Sequence, residues 1–108
     1  MLPAPPAIRM ALRRRALRWN EAAIMQSQNL RILGSSARTQ AMVAMGGVDY
    51  YYEYGPHPWD VAAGYVIVTE AGGRFTGWDE GEDGLVTGNP LATNGVIHEA
   101  LMRIAQGR

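Results

Sequence analysis

The chain of 108 residues, 47% hydrophobic with 13 glycines, is the size of one compact domain and short for a large metabolic enzyme. It has no cysteine, which excludes a disulfide framework, thiolate-held metal and thiol catalysis, and leaves any metal to oxygen or histidine ligands. No run approaches the roughly 18 apolar residues of a membrane-spanning helix. The zero net charge hides a split: residues 1–48 carry seven arginines against Glu21, a net of +6, and residues 49–108 carry three arginines against nine acids, a net of −6.

Met1 to Ala7, with prolines at 3, 5 and 6, reads as a stiff extended leader. The spacing Ile8, Leu12, Ala16, Trp19, Ala23 then predicts an amphipathic helix ending near Met25. Arg9, Arg13, Arg14, Arg15 and Arg18 crowd its other faces. Such a pattern suits a solvated helix face, a targeting segment, or a nucleic-acid or membrane-surface helix. The single basic helix, with no basic–aromatic array beside it, favours the first, so no nucleic-acid or membrane partner is expected.

Asn29–Leu33 is a short strand candidate closed by Gly34. Ser35 is placed to cap a helix over Ala37–Met45, stopped by Gly46-Gly47. The tyrosine-rich Val48–Tyr54 reads as a strand, and its tyrosines, alternating in pleat direction, cannot all face one side. Gly55-Pro56-His57-Pro58 turns the chain. A helix follows from about Trp59 to Ala71, although Val66–Thr69 alone has the pattern of a strand. Arg74–Trp78 is a further strand candidate, Asp79–Gly84 an acidic exposed loop, Leu85–Thr87 a weak strand, and Gly95–Gln106 a closing helix. This alternation implies a layered α/β fold, one sheet with helices packed on it.

Two carboxylates stand out chemically. Glu53 lies near a strand end and Asp60 at the start of the next element, so the Gly-Pro turn can bring both to one rim of the sheet. Ligands of open α/β sheets usually sit there. A helix N-terminus beside Asp60 offers N–H groups to a phosphate, and a carboxylate next to it suits Mg²⁺. Equally, Asp60 on these grounds alone could be a plain acid in a helix first turn.

The stretch Trp59-Asp60-Val-Ala-Ala63, followed by Glu70-Ala-Gly-Gly73, resembles the second signature of the inositol monophosphatase family. Arg31-Ile-Leu-Gly34-Ser35-Ser36-Ala37 resembles its Arg-x-x-Gly-Ser/Thr-Ala segment, and Gly47-Val-Asp49-Tyr-Tyr51 its Gly-x-Asp-Ala-Tyr strand. Asn94 and the last helix are placed similarly. The resemblance implies that residues 8–108 are the C-terminal part of an inositol-monophosphatase-like αβαβα sandwich. It implies that Asp60 ligates a catalytic Mg²⁺, with Trp59 packed beside it, and that Glu53 accepts hydrogen bonds from substrate hydroxyls. Gly34, Ser35 and Ser36 would line the same pocket. Ser36 departs from the family's alanine and adds a hydroxyl. His57 is matched in the family but stays outside the catalytic set.

The family's first signature, Asp-Pro-x-Asp-Gly-Thr/Ser, supplies most metal carboxylates and is missing: there is no Asp-Pro dipeptide, and residues 1–48 hold no aspartate. The expectation is therefore a cytoplasmic, Mg²⁺-dependent phosphomonoesterase at the level of family, acting on inositol monophosphate, whose 108-residue chain is inactive alone. The alternative is a non-catalytic truncated isoform or fragment that acts by pairing with full-length subunits. A homodimer is also compatible with the family.

Overall fold

A computed structural model describes residues 5–27, 30, 32, 34–56, 58–79, 81–87 and 89–105. Helix α1 (Pro6–Gln26) starts within the expected leader, because Pro6 lacks an N–H and has a helical φ, so it fits the first helical position. Trp19 and Ala23 of its stripe are buried and Leu12 and Ala16 half-buried, while Ile8 stays exposed. Of the strand expected at 29–33, Leu30 and Ile32 lie outside any helix or strand, and residues 29, 31 and 33 fall outside the described set.

Helix α2 (Ser36–Met45) is capped as expected: the Ser35 side chain accepts the Arg38 backbone N–H at 3.2 Å. It ends at Gly46, whose φ of 82° a side chain would resist. Strand β1 (Tyr50–Tyr52) is shorter than its tyrosine run. Helix α3 (Pro58–Glu70) absorbs the ambiguous Val66–Thr69 stretch. Val61, Gly64 and Val68 are buried at helical spacing, and Gly72 at φ 88° turns the chain after the helix.

Strand β2 (Arg74–Thr76) follows. Leu85–Thr87, expected as a strand, lies instead in the short helix α4 (Gly84–Thr87). Asp83 Oδ1 accepts the Leu85 N–H at 2.9 Å, the local bond that makes an aspartate start a helical turn. The third strand is β3 (Leu91–Thr93), which no expectation covered. Helix α5 (His98–Ala105) closes the described chain, starting three residues later than expected, since Asn94 Oδ1 accepts the Val96 and Ile97 N–H groups in a turn of its own.

The sheet has the order β1-β3-β2 and is antiparallel throughout, with Tyr51 opposite Ala92 and Ala92 opposite Phe75. Period-two alternation divides its core. On one face Trp19, Trp78, Leu91, Leu101 and Met102 pack with Tyr50 and Tyr52 under α1 and α5. On the other, Val43, Tyr51, Val61, Val68, Phe75 and Ala92 pack under α2 and α3. The layered α/β architecture is thus as expected, and so is the division of the tyrosines between two sides.

The acidic loop is less open than expected. Asp79 forms a two-pronged ion pair with Arg15, at 2.8 and 2.9 Å, and the same guanidinium lies over Trp78. One of the crowded arginines is thereby a packing residue, while Arg9, Arg13, Arg14 and Arg18 are exposed. Among the described residues no helix is long and apolar enough to cross a membrane.

Candidate functional site

Three chain segments meet at the second face of the sheet: the start of α2, the residue after β1, and the first turn of α3. Ser36 opens α2, and its hydroxyl faces both oxygens of Glu53, Oε1 at 2.8 Å and Oε2 at 2.9 Å. A lone hydroxyl proton shared between two carboxylate oxygens centres the carboxylate on the helix start. Glu53 leaves the sheet in register, its N–H donating to the Pro90 carbonyl at 3.3 Å. The Ser36 hydroxyl therefore orients Glu53.

Gln40, one turn further along α2 and fully buried, joins this group to Asp60. Its Nε2 donates to the Ser36 carbonyl at 3.0 Å and, more weakly, to the Asp60 carbonyl at 3.4 Å, while its Oε1 is buried without a partner. Gly64 lets the two helices approach: a Cβ there would come within 1.9 Å of Gln40 Oε1. Sequence reading passed over Gln40, because a polar residue inside a short helix gives no sign of burial.

Tyr51 sits beneath the cluster. Its hydroxyl is buried beside Ser36 and Glu53 without a hydrogen bond of ordinary geometry to either. Burial pushes this phenol well above its ordinary pKa; the Ser36 hydroxyl opposes the rise, and the negative charges of Glu53 and Asp60 reinforce it. Both carboxylates therefore act on one point. The sequence suggested only strand packing for this tyrosine.

The remaining candidates are more peripheral. Gly34 is exposed at φ 74° and Ser35 is the exposed cap of α2. Both border a cavity of about 990 Å³ that Glu53 also lines, together with Trp19, Tyr50 and Leu101; Asp60 and Ser36 do not line it. Trp59 is 73% exposed in this chain. His57 lies outside the described residues. His98, a natural candidate for proton transfer, is a structural residue: it is fully buried, with Nδ1 2.9 Å from Thr93 Oγ1 and Nε2 2.8 Å from Thr76 Oγ1.

Asp60 and Glu53 are oxygen donors of the right hardness for Mg²⁺. As a set they do not fit a complete site, since among the described residues no three His, Asp or Glu side chains converge, and Glu53 already faces Ser36 through both oxygens.

A layered α/β domain with carboxylates gathered at helix starts is the class these features define. The inositol monophosphatase family profile matches residues 7–108, and the chain belongs to that family. It is 49% identical over 75 residues to an inositol-1-monophosphatase of Synechocystis, covering 69% of this chain and 26% of that protein. To the fructose-1,6-bisphosphatase/inositol-1-monophosphatase of Thermotoga maritima it is 38% identical over 79 residues, 73% of this chain and 31% of the relative. Among solved structures, the inositol monophosphatase of Anabaena aligns with a TM-score of 0.71 at 46% identity, over 74% of this chain and 32% of that one. The suhB protein of Bartonella henselae aligns at 0.81 and 30% identity, over 96% and 38%. The chain thus spans less than a third of the length of these two curated relatives.

Proposed function

We propose that this chain forms the polyol-recognising wall of a cytoplasmic, Mg²⁺-dependent phosphomonoesterase that hydrolyses inositol monophosphate, and that it has no turnover alone. Asp60 would give one ligand to the metal, which when bound supplies an activated water and a clamp for the phosphoryl group. Glu53, oriented by Ser36, accepts hydrogen bonds from substrate hydroxyls, and Gly34, Ser35 and Ser36 flank it. The observation that carries this reading is the Ser36–Glu53 contact, joined through Gln40 to the backbone carbonyl of Asp60.

The absence of turnover follows from the donor set: one fixed hydroxyl-binding carboxylate and one candidate ligand cannot both polarise a water and hold the transferring group. The test is phosphate release from inositol 1-phosphate with Mg²⁺, for the purified chain beside Asp60→Asn. Both should stay at background. Mg²⁺-dependent release by the unaltered chain, lost in Asp60→Asn, would overturn the claim of inactivity.

A further inference from the structure

Four asparagines occur in the chain, and only Asn94 is followed by glycine. Asn20 precedes Glu21 within α1, Asn29 precedes Leu30, and Asn89 precedes Pro90, which has no N–H. An asparagine cyclises when the backbone nitrogen after it attacks its side-chain amide carbon, and a glycine there leaves that nitrogen uncrowded. Asn94 is exposed, in the turn between β3 and α5. The fold keeps glycine at position 95: its φ is 95°, and a Cβ would sit 3.1 Å from the Gly72 carbonyl oxygen. Both reacting groups are tied down in this turn. The Gly95 N–H donates to Thr93 Oγ1 at 2.9 Å, and Asn94 Oδ1 accepts the N–H groups of Val96 at 3.0 Å and Ile97 at 3.4 Å. Thr93 Oγ1 in turn lies 2.9 Å from His98 Nδ1, and both residues are fully buried. Leu101 and Met102 anchor the later part of α5, whereas Val96 is 88% exposed, so the turn can open without the rest of the helix.

We propose that Asn94–Gly95 is a deamidation site latched by this turn, and that it reacts when the turn opens locally. On opening, the Gly95 nitrogen bonds to Asn94 Cγ and the Cγ–Nδ2 bond breaks. The side-chain nitrogen leaves as ammonia, carrying in balance the proton lost from Gly95, and a cyclic imide remains. Water then adds to either imide carbonyl and opens the ring, to aspartate or to isoaspartate. One water enters and one ammonia leaves, with no change of oxidation state. The two products differ in their effect on the fold. Aspartate retains the acceptor oxygens and adds a negative charge at the start of α5, where the helix dipole favours it. Isoaspartate adds a carbon to the main chain between Thr93 and Gly95. The Gly95 N–H then no longer meets Thr93 Oγ1 in register, and the bonds that seat His98 loosen.

The test is incubation of the full chain at neutral pH, beside a synthetic peptide of residues 91–101 in the same buffer. Mass spectrometry follows the replacement of NH₂ by OH, and electron-transfer fragmentation separates isoaspartate from aspartate. Conversion in the chain should be confined to Asn94 and run about tenfold slower than in the peptide, a factor equal to about 1.4 kcal/mol for opening the latch. Thr93→Val removes the acceptor for the Gly95 N–H and should speed conversion about threefold or more, as loss of one hydrogen bond implies. Thr93→Ser keeps the hydroxyl and should stay near the parent rate, and circular dichroism of both variants checks that their helices persist. The chromatographically separated isoaspartate form should melt below the parent, and Asn94→Asp at or above it. A chain unconverted at Asn94 after the peptide has reacted fully would overturn the proposal. So would conversion in the chain as fast as in the peptide, equal conversion at Asn20 or Asn29, or a folded Thr93→Val chain reacting at the parent rate. Should Thr93→Val fail to fold, the comparison of chain with peptide still decides.

Discussion

Helices α3 and α5 lie on opposite faces of the same small sheet, and only one of them is finished for water. In α5, Leu101 and Met102 are buried and Glu99, Ala100 and Arg103 face out. Glu99 sits in its first turn and Arg103 in its last, each favourable to the helix dipole, and Glu99 pairs with Arg74 at 2.6 Å. The inner face of α3 is as well buried, but its outer face carries valine, isoleucine and alanine where α5 carries charge. Burial of the inner faces explains why both helices form. The outer faces differ instead: that of α5 carries Glu99 and Arg103, and that of α3 carries Val66 and Ile67.

The largest expected effects come from the two inner faces. Leu101→Ala should cost about 3 kcal/mol, the usual loss on emptying a packed leucine site. Gly64→Ala should cost a similar amount, about 3 kcal/mol, since its new methyl would overlap Gln40 at Oε1, Cδ and Cβ. Adding Gln40→Ala to Gly64→Ala should restore part of the loss, because two of those three atoms are gone. Urea denaturation of the single and double variants measures both. A Gly64→Ala chain as stable as the parent would mean that α2 and α3 are not locked at this point.

Acid should weaken the α5 side selectively. Thr93 Oγ1 accepts the Gly95 N–H, so its own proton goes to His98 Nδ1; Thr76 Oγ1 donates to the Gly77 carbonyl and accepts from Nε2–H. This chain of bonds fits a neutral imidazole, and protonating Nδ1 would break it. Burial first, then the charge of Arg74, partly offset by Glu99, lowers the His98 pKa to about 4. With the folded value below the ordinary 6.5, the unfolded chain binds more protons at intermediate pH. Stability is therefore complete above about pH 6.5, falls as pH drops towards 4, and levels off below, for a loss of at most about 3 kcal/mol. His98→Gln should flatten this dependence in melts recorded from pH 7 to 4; an unchanged slope would assign the effect to carboxylates instead.

Ser36→Ala removes the hydroxyl that orients Glu53. The expected cost is about 1 kcal/mol, less than for either core change, because the group is only half-buried. Equilibrium denaturation measures the loss. A variant of unaltered stability would reduce the contact to an incidental one.

The course of the chain shows where sequence was informative. Ser35 and Gly46 bracket α2 because capping and left-handed turns are local chemistry, readable without knowing what packs nearby. The motif from Trp59 to Gly73 carried the family and the position of Asp60. What sequence concealed depended on distant partners. Leu85–Thr87 became helical through the Asp83 side chain, and Leu91–Thr93 became the central strand because β1 and β2 flank it. Gln40 and Tyr51 gained their places at the site only when α2, β1 and α3 came together. The apolar outer face of α3 was present in the letters, yet period alone does not separate a strand from a helix covered twice.

The smallest effect divides the two helices most cleanly. Ile67→Ala removes a large side chain from α3, as Leu101→Ala does from α5, yet in the isolated chain it should shift stability by no more than about 0.5 kcal/mol, because Ile67 is 45% exposed. Glu99→Gln, on the outer face of α5, should likewise leave stability nearly unchanged, because its ion pair with Arg74 is exposed to water. Urea denaturation of each variant beside Leu101→Ala reads the inner and outer faces separately. A loss near 2 kcal/mol in the isolated Ile67→Ala chain would show that the outer face of α3 packs within the chain itself, and the contrast with α5 would disappear.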